Sequence, residues 1–379
     1  YDVMAVLGNC ATMETLLQAG VNDADLLIAA TGADELNLLC SMTAHGINPN
    51  IHTIARICNP DYTDQVYKMQ KTFALSLTVN PEKQAAIEIE RLLKFPGFLK
   101  RDSFAKGRVE IVELRVDERS RLCNVALSEL NRVIKCRVLV CAVLRRGDVV
   151  APDGSFVLRE GDRIFVTAST ESLATLLDNL GIITKKVNHV MICGGGRVSY
   201  YLAQQLEKDG MTVRLIEKDP KHCEELAALL PKTEIINDDA SNTFVLKREN
   251  IESCDALVTA TGMDELNMII SLYGTKHGVS QVITKLGHME NGSMIDQLPI
   301  GSTIWPKDLC CNGIVRYIRA MHNQTGAAVS VHSIADGKAE AIEFHVEEKK
   351  PYCDKPLKNM KVKQNILVSC ITHGGVTEL

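Results

Sequence analysis

Two fourteen-residue segments, ADLLIAATGADELN at 24–37 and CDALVTATGMDELN at 254–267, agree at ten positions when Ile and Val count as close. Their offset is 230 residues. The same offset sets Glu113-Leu114-Arg115-Val116 on Glu343-Phe344-His345-Val346, Cys123 on Cys353 and Leu127 on Leu357. After a short slip, VLVCAVLRRGD at 138–148 matches NILVSCITHGG at 365–375 in strand pattern. One offset held across separated segments signals a tandem duplication, so the chain must fold twice into one kind of unit. A 230-residue unit does not fit evenly into 379 residues. The second unit opens with a strand near Val187, whose counterpart falls about 43 residues before Tyr1. Leu379 aligns near Ala151, whereas the first small lobe runs on to about Gly181. The arithmetic predicts a chain lacking roughly 40 residues in front and roughly 30 behind, its first unit entering inside a third strand.

Within the second unit, VNHVMIC at 187–193 is an apolar, β-branched run and reads as a buried strand. Gly194-Gly195-Gly196-Arg197-Val198-Ser199 follows, then the helical pattern YYLAQQLEKDG. Further strands are expected at TVRLIE, EIIN, ALVTAT and QVITKL, separated by helical patterns. Strands alternating with helices predict a parallel, doubly wound sheet. In the small lobe, 109–116, 137–144 and 163–168 read as strands and SLATLLDNLG as a closing helix. The fold class is thus α/β: tandem Rossmann-like doubly wound parallel sheets, each followed by a small α+β lobe. The boundaries read as 1–100 and 101–183 for the first pair of lobes, and 187–325 and 326–379 for the second. The helix EKQAAIEIERLLKF carries Ala85, Ile89, Leu92 and Leu93 on one stripe. That stripe must bury against a second copy or its own lobe.

A G-x-G-x-x-G turn after a strand lets the backbone approach a pyrophosphate at a helix N-terminus. Here Ser199 stands in place of the third glycine. Glu217 ends the second strand 21 residues past Gly196, where an acid reaches the adenine ribose. A carboxylate there repels a 2′-phosphate and favours NAD over NADP. The plain alternative is a surface acid beside Lys218 and Asp219. Asp238 and Asp239, next to Ala240, lie near an adenine edge or else cap a helix. Thr261, Gly262 and Asn267 are expected to face the crevice at the carboxyl edge of the sheet. Asp34, Glu35, Asp264 and Glu265 lie in first helical turns, where acids complement the macrodipole. Arg56 and Lys285 end the fifth strands, placed to reach a phosphate or to be solvated charges.

The charge balance, 42 basic against 47 acidic residues, leaves no basic footprint for nucleic acid. No apolar run approaches the roughly 18–20 residues that span a bilayer, and YDVMAVLGNC lacks the marks of a signal peptide. The 13 cysteines are scattered without a C-x-x-C pair, the pattern of reduced thiols in a cytosolic protein.

AGVNDADLLIAATGADELNLL, IARICNPDY at 54–62, GGGRVSYYLAQQLE and LREGDRIFV together resemble the potassium-conductance regulator (RCK or KTN) domain family. The order large lobe, small lobe, large lobe, small lobe resembles the tandem regulatory subunits of Trk-type potassium uptake systems. The resemblance covers nearly the whole chain. It implies binding of NAD or NADH, with ATP or ADP as further ligands, in the large lobes. It implies a homotetrameric ring in the cytoplasm, peripheral to the membrane beneath a Trk-type potassium pore subunit. Carried over residue by residue, its ligand positions fall on Gly194, Gly196, Glu217, Asp239, Thr261 and Lys285 in the second unit, and on Asn9, Thr31 and Arg56 in the first. Ser199 and Asp238 depart from the family pattern. The residues alone leave two competing functions, an NAD-dependent dehydrogenase and a scaffold that binds nothing. A dehydrogenase needs an acid/base residue near the nicotinamide. His189 starts a strand, and His222 and His277 lie in helices flanking the sheet, so none is placed for it.

Overall fold

The computed structural model describes residues 3–94, 98, 100–104, 108–118, 120–180, 186–287, 295, 298–322, 328–335, 338–346, 353, 355–360, 366–373 and 376–378. Contacts divide the chain into Tyr1–Ala86 with Pro306–Ile314, and Ile87–Trp305 with Val315–Leu379. Two helices therefore straddle the division: the one expected at EKQAAIEIERLLKF, and its counterpart from the second repeat.

The first unit runs α1 (Met13–Gln18), β1 (Leu26–Ala29), α2 (Asp34–Ile47), β2 (His52–Arg56), α3 (Pro60–Lys68), β3 (Leu77–Val79) and the start of α4 (Pro81–Lys94). Its three strands pair in parallel in the order β1-β2-β3. Residues 3–8, where the chain is expected to enter inside a third strand, make no ladder with the described strands. The corresponding segment of the second repeat, Glu234–Asn237, pairs only with Thr212–Glu217. The described strands of the first sheet include no counterpart of that partner, so the N–H and C=O groups of residues 3–8 lack the neighbour they would pair with. Ile54 and Ala55 of β2 are fully buried. Asn59 caps α3 with its side chain, and Pro60 follows in the first turn, where its missing N–H costs nothing.

The second unit continues through the small lobe: β4 (Lys100–Phe104), β5 (Val109–Arg115), α5 (Leu130–Val133), β6 (Leu139–Arg145), β7 (Asp148–Val150), β8 (Arg163–Ser169) and α6 (Thr170–Asn179). The five strands form an antiparallel sheet, order β4-β5-β8-β6-β7. Asp162, buried beside β8, accepts both Nε and Nη2 of Arg145 at 2.7 Å and the Arg159 N–H at 2.7 Å. A buried carboxylate is tolerated only with such partners.

The large lobe follows as β9 (His189–Cys193), α7 (Arg197–Lys208), β10 (Thr212–Glu217), α8 (Pro220–Leu229), β11 (Glu234–Asn237), α9 (Thr243–Arg248), β12 (Ala256–Thr259), α10 (Asp264–Lys276), β13 (Gln281–Lys285) and β14 (Ser302–Ile304). All six strands are parallel, in the order β11-β10-β9-β12-β13-β14. The sheet is the doubly wound one expected, extended by the unanticipated sixth strand β14. Every residue of β12 is buried, as are Val190 to Cys193 of β9. Strands covered on both faces read as continuous apolar runs, which is why they were visible in sequence. Val198, Tyr201, Leu202 and Leu206 of α7 are buried along one helical stripe. The chain order reverses between β9 and β12, so their carboxyl ends splay connecting loops apart and open a crevice there.

The remainder is α11 (Pro306–His322), β15 (Ala328–Ile334) paired antiparallel with β16 (Ala339–Phe344), and β17 (Ile371–His373) paired antiparallel with β18 (Val376–Glu378). Within this unit the small-lobe sheet and the β15–β16 pair share a core containing Phe104, Cys141, Phe165 and Ile334.

Candidate nucleotide site

The crevice is floored by the turn from β9 to α7. Gly194 has φ +97°, and a Cβ there would stand 2.9 Å from the Ala260 carbonyl oxygen and the Thr261 backbone. Glycine is required on both counts. Gly195 is crowded too: a Cβ would meet Leu226 at 2.7 Å and Glu217 at 3.0 Å. Gly196, the N-cap of α7, has nothing within 4 Å of its Cβ position, and no side chain caps the helix. The first turn of α7 thus keeps its backbone N–H groups free of a side-chain cap, next to open space at Gly196, an arrangement suited to an anion. That opening is the observation by which these residues fit the phosphates of a nucleotide.

Glu217 closes one side. Its Oε2 accepts the Gly195 N–H at 2.7 Å and its Oε1 the Asp219 N–H at 2.9 Å. On the other side, Thr261 donates its N–H and its hydroxyl to Asn267 Oδ1, at 2.9 and 2.7 Å. Lys285 Nζ donates to the Thr261 carbonyl at 2.8 Å. Gly194, Gly195, Glu217, Thr261 and Lys285 are therefore linked around one crevice. Arg197 and Gly262 are exposed at its rim, while Val198 turns its side chain into the core.

Asp239 is less central. Its carboxylate accepts the Ser241 N–H at 2.8 Å, and the bonds from Ser241 hold its pKa below the ordinary value. It caps a turn, whereas the helix cap at α9 is Asn242. Lys218 is exposed and its charge acts on Asp239. Ala240 belongs to the core beside Ile270. Asp238 pairs with Arg248 at 2.9 Å.

The first repeat copies the clamp. Thr31 donates N–H and hydroxyl to Asn37 Oδ1 at 2.8 and 2.7 Å, and Asn37 Nδ2 donates to the Arg56 carbonyl at 2.9 Å. Arg56 reaches the Thr31 carbonyl at 3.4 Å and pairs with Glu82 at 3.1 Å. Asn9 accepts the Ala11 N–H at 3.1 Å within its own turn. Neither strand-end cation is the simple solvated charge that sequence left open.

Two sequence readings change. Asn267 does not face the crevice: it is fully buried and bonds to the Thr261 N–H and hydroxyl and to the Lys285 carbonyl, and Asn37 is its fully buried counterpart. Asp264 does more than complement a helix dipole, for its carboxylate accepts the Gly287 N–H at 2.8 Å. Asp34 likewise accepts the N–H groups of Cys58 and Asn59, at 2.8 and 2.7 Å. The signal for these roles was the repeat itself, which keeps D-E-L-N in both copies. Ser199 is fully buried, its hydroxyl without a hydrogen-bond partner. Sequence also set His222 aside, yet its Nε2 lies 2.9 Å from the Gly195 carbonyl oxygen. Among the described residues no group of His, Cys, Asp and Glu is arranged to hold a metal, and no helix is long and apolar enough to cross a membrane.

The TrkA-N domain model matches residues 1–77 and 190–306, and the TrkA-C domain model residues 111–181. The Trk system potassium uptake protein TrkA homolog of Archaeoglobus fulgidus is 30% identical over 375 residues, covering 99% of this chain and 83% of that protein. The crystal structure of the GsuK RCK domain superposes with a TM-score of 0.61 at 16% identity, over 86% of this chain and 69% of that one. The GsuK channel bound to NAD gives 0.59 at 16% identity, over 86% and 57%. At such identities the likeness carries the fold.

Proposed function

Because the chain belongs to the TrkA family of Trk system potassium uptake proteins, we propose that it is the nucleotide-binding regulatory subunit of a potassium uptake system. The observation that carries this reading is the glycine-rich turn at the β9/β12 switch point, tied to Glu217 and opening at Gly196 onto the N-terminus of α7. NAD or NADH is the proposed ligand, with ATP and ADP as competitors. Gly194 to Val198 would cradle the phosphates, with Glu217 on the adenosine ribose. Asp239, Lys218 and Ala240 lie toward the adenine, while Thr261, Gly262 and Lys285 line the opposite wall. In the first repeat Thr31, Arg56 and Asn9 are the corresponding positions. The proposed lobes run 1–100, 101–183, 187–325 and 326–379.

The working state in this reading is a homotetrameric ring at the inner face of the membrane, docked to a Trk-type pore subunit. A ligand that binds one arrangement of the ring more tightly shifts the population toward it, and so biases the pore. Catalysis has little support. His189 starts β9, at the amino edge of the sheet, about 16 Å of strand from the crevice. His277 is engaged by Glu252 at 2.8 Å. Calorimetric titration with NAD, NADH, ATP and ADP tests the reading. Micromolar binding without turnover is expected. Steady-state oxidation of NADH with a carbonyl substrate, or no binding by any of the four, overturns it.

A further inference from the structure

His222 is the third residue of α8 and bridges two groups that can only accept. Its Nε2 is 2.9 Å from the Gly195 carbonyl oxygen, and its Nδ1 is 3.1 Å from Glu225 Oε2. Neither a carbonyl nor an ionised carboxylate has a proton to give. A neutral imidazole, with one N–H, sets lone pair against lone pair at one of these contacts. The imidazolium satisfies both. Partial burial opposes the charge, but Glu225, the Gly195 carbonyl and Glu217 outweigh it, so His222 titrates above its ordinary 6.5. The charges acting on the ring are Glu225 from its own helix and Glu217 from the end of β10; from the glycine-rich turn it meets the Gly195 carbonyl.

The Gly195 residue is thereby held at both ends, its N–H by Glu217 and its C=O by His222. Gly196 and the open first turn of α7 follow directly. Resting on the nucleotide reading of this crevice, we propose that His222 is a proton-dependent positioning residue of the glycine-rich turn, making the site bind a dinucleotide pyrophosphate more tightly in acid than in alkali. Below the ordinary imidazole pKa the ring is charged and both bonds are made. As pH rises through the raised value, one bond is lost and a positive charge leaves the neighbourhood of an anion site. The stabilisation is thus full at low pH and lost on the alkaline side.

The test is calorimetric titration of the full chain with NAD and NADH between about pH 6 and about pH 8.5, a range that spans the histidine transition while the pyrophosphate diester stays fully ionised. Affinity is expected to fall about tenfold across that range, the equivalent of about one unit of pKa change on binding. Proton uptake on binding near neutrality should appear as a dependence of the heat on buffer. His222→Gln retains one N–H for Gly195 but cannot titrate, and should give a flat profile. Glu225→Gln should move the fall to lower pH. Histidine-ring NMR of the free protein, assigned with His222→Gln, should place the ring above 6.5. A His222→Gln profile as steep as wild type overturns the proposal, as does a ring titrating at or below 6.5, even where nucleotides bind. Absence of binding at every pH overturns the nucleotide reading itself, and the coupling with it, while the ring titration is still read independently.

Discussion

Glu217 and Gly195 are 22 residues apart in sequence, and the carboxylate of one accepts the main-chain N–H of the other at 2.7 Å. The acid therefore shapes the turn before any ligand arrives, which lowers the ordering cost of binding. A hydrogen bond to a charged group contributes about 1.5–3 kcal/mol, so Glu217→Ala should weaken NAD and NADH about 10- to 100-fold. Glu217→Gln keeps an acceptor for Gly195 but not the charge, and should fall between. Calorimetry decides, and unchanged affinity in both variants would remove the acid from the site.

Gly194 and Gly196 should separate folding from binding. Gly194→Ala forces a Cβ to 2.9 Å from backbone atoms at positive φ, and should cost about 1–3 kcal/mol in denaturant unfolding. Gly196→Ala places its methyl in open space at φ −63°. It should leave the unfolding midpoint in place and reduce nucleotide affinity at least about tenfold, because the methyl stands where a phosphate approaches. A Gly196→Ala variant that binds normally would mean the opening is not the phosphate site.

Asn37 and Asn267 each tie a loop to the end of a neighbouring strand from a fully buried position. Truncation leaves buried backbone groups unpaired, at about 1–3 kcal/mol for each group. Asn267→Ala should lower the stability of the second repeat by about 3 kcal/mol, and Asn37→Ala the first by a similar amount. Equilibrium unfolding measures both. A change within about 0.5 kcal/mol, the usual range for surface positions, would contradict the clamp.

The thiols should divide by burial. Burial pushes Cys193 and Cys58 up to about 12, whereas Cys311 is exposed. The thiolate is the reactive form. A thiol reagent at mildly alkaline pH should label Cys311 first and Cys193 only on unfolding, as followed by peptide mass spectrometry. Early labelling of Cys193 would show that β9 is not buried.

The duplication, the parallel sheet and the glycine-rich turn with its acid were legible from sequence. Strands buried on both faces must be continuously apolar, and a turn where a side chain's Cβ would come within 3 Å of a neighbouring backbone must be glycine. These are local demands, so single residues record them. Sequence could not show β14, because a three-residue edge strand has almost no pattern of its own. Nor could it separate the jobs of Asn267 and Thr261, which the repeat preserves together although one is fully buried and the other only half-buried. His222 looked like any helical histidine. Its meaning comes from a carbonyl 27 residues earlier, delivered by the pairing of β9 with β10. Periodicity and turn chemistry decided what the chain folds into. Which polar side chain meets which backbone group was decided only in three dimensions, because a hydrogen bond depends on distance in space and carries no signature in spacing along the chain.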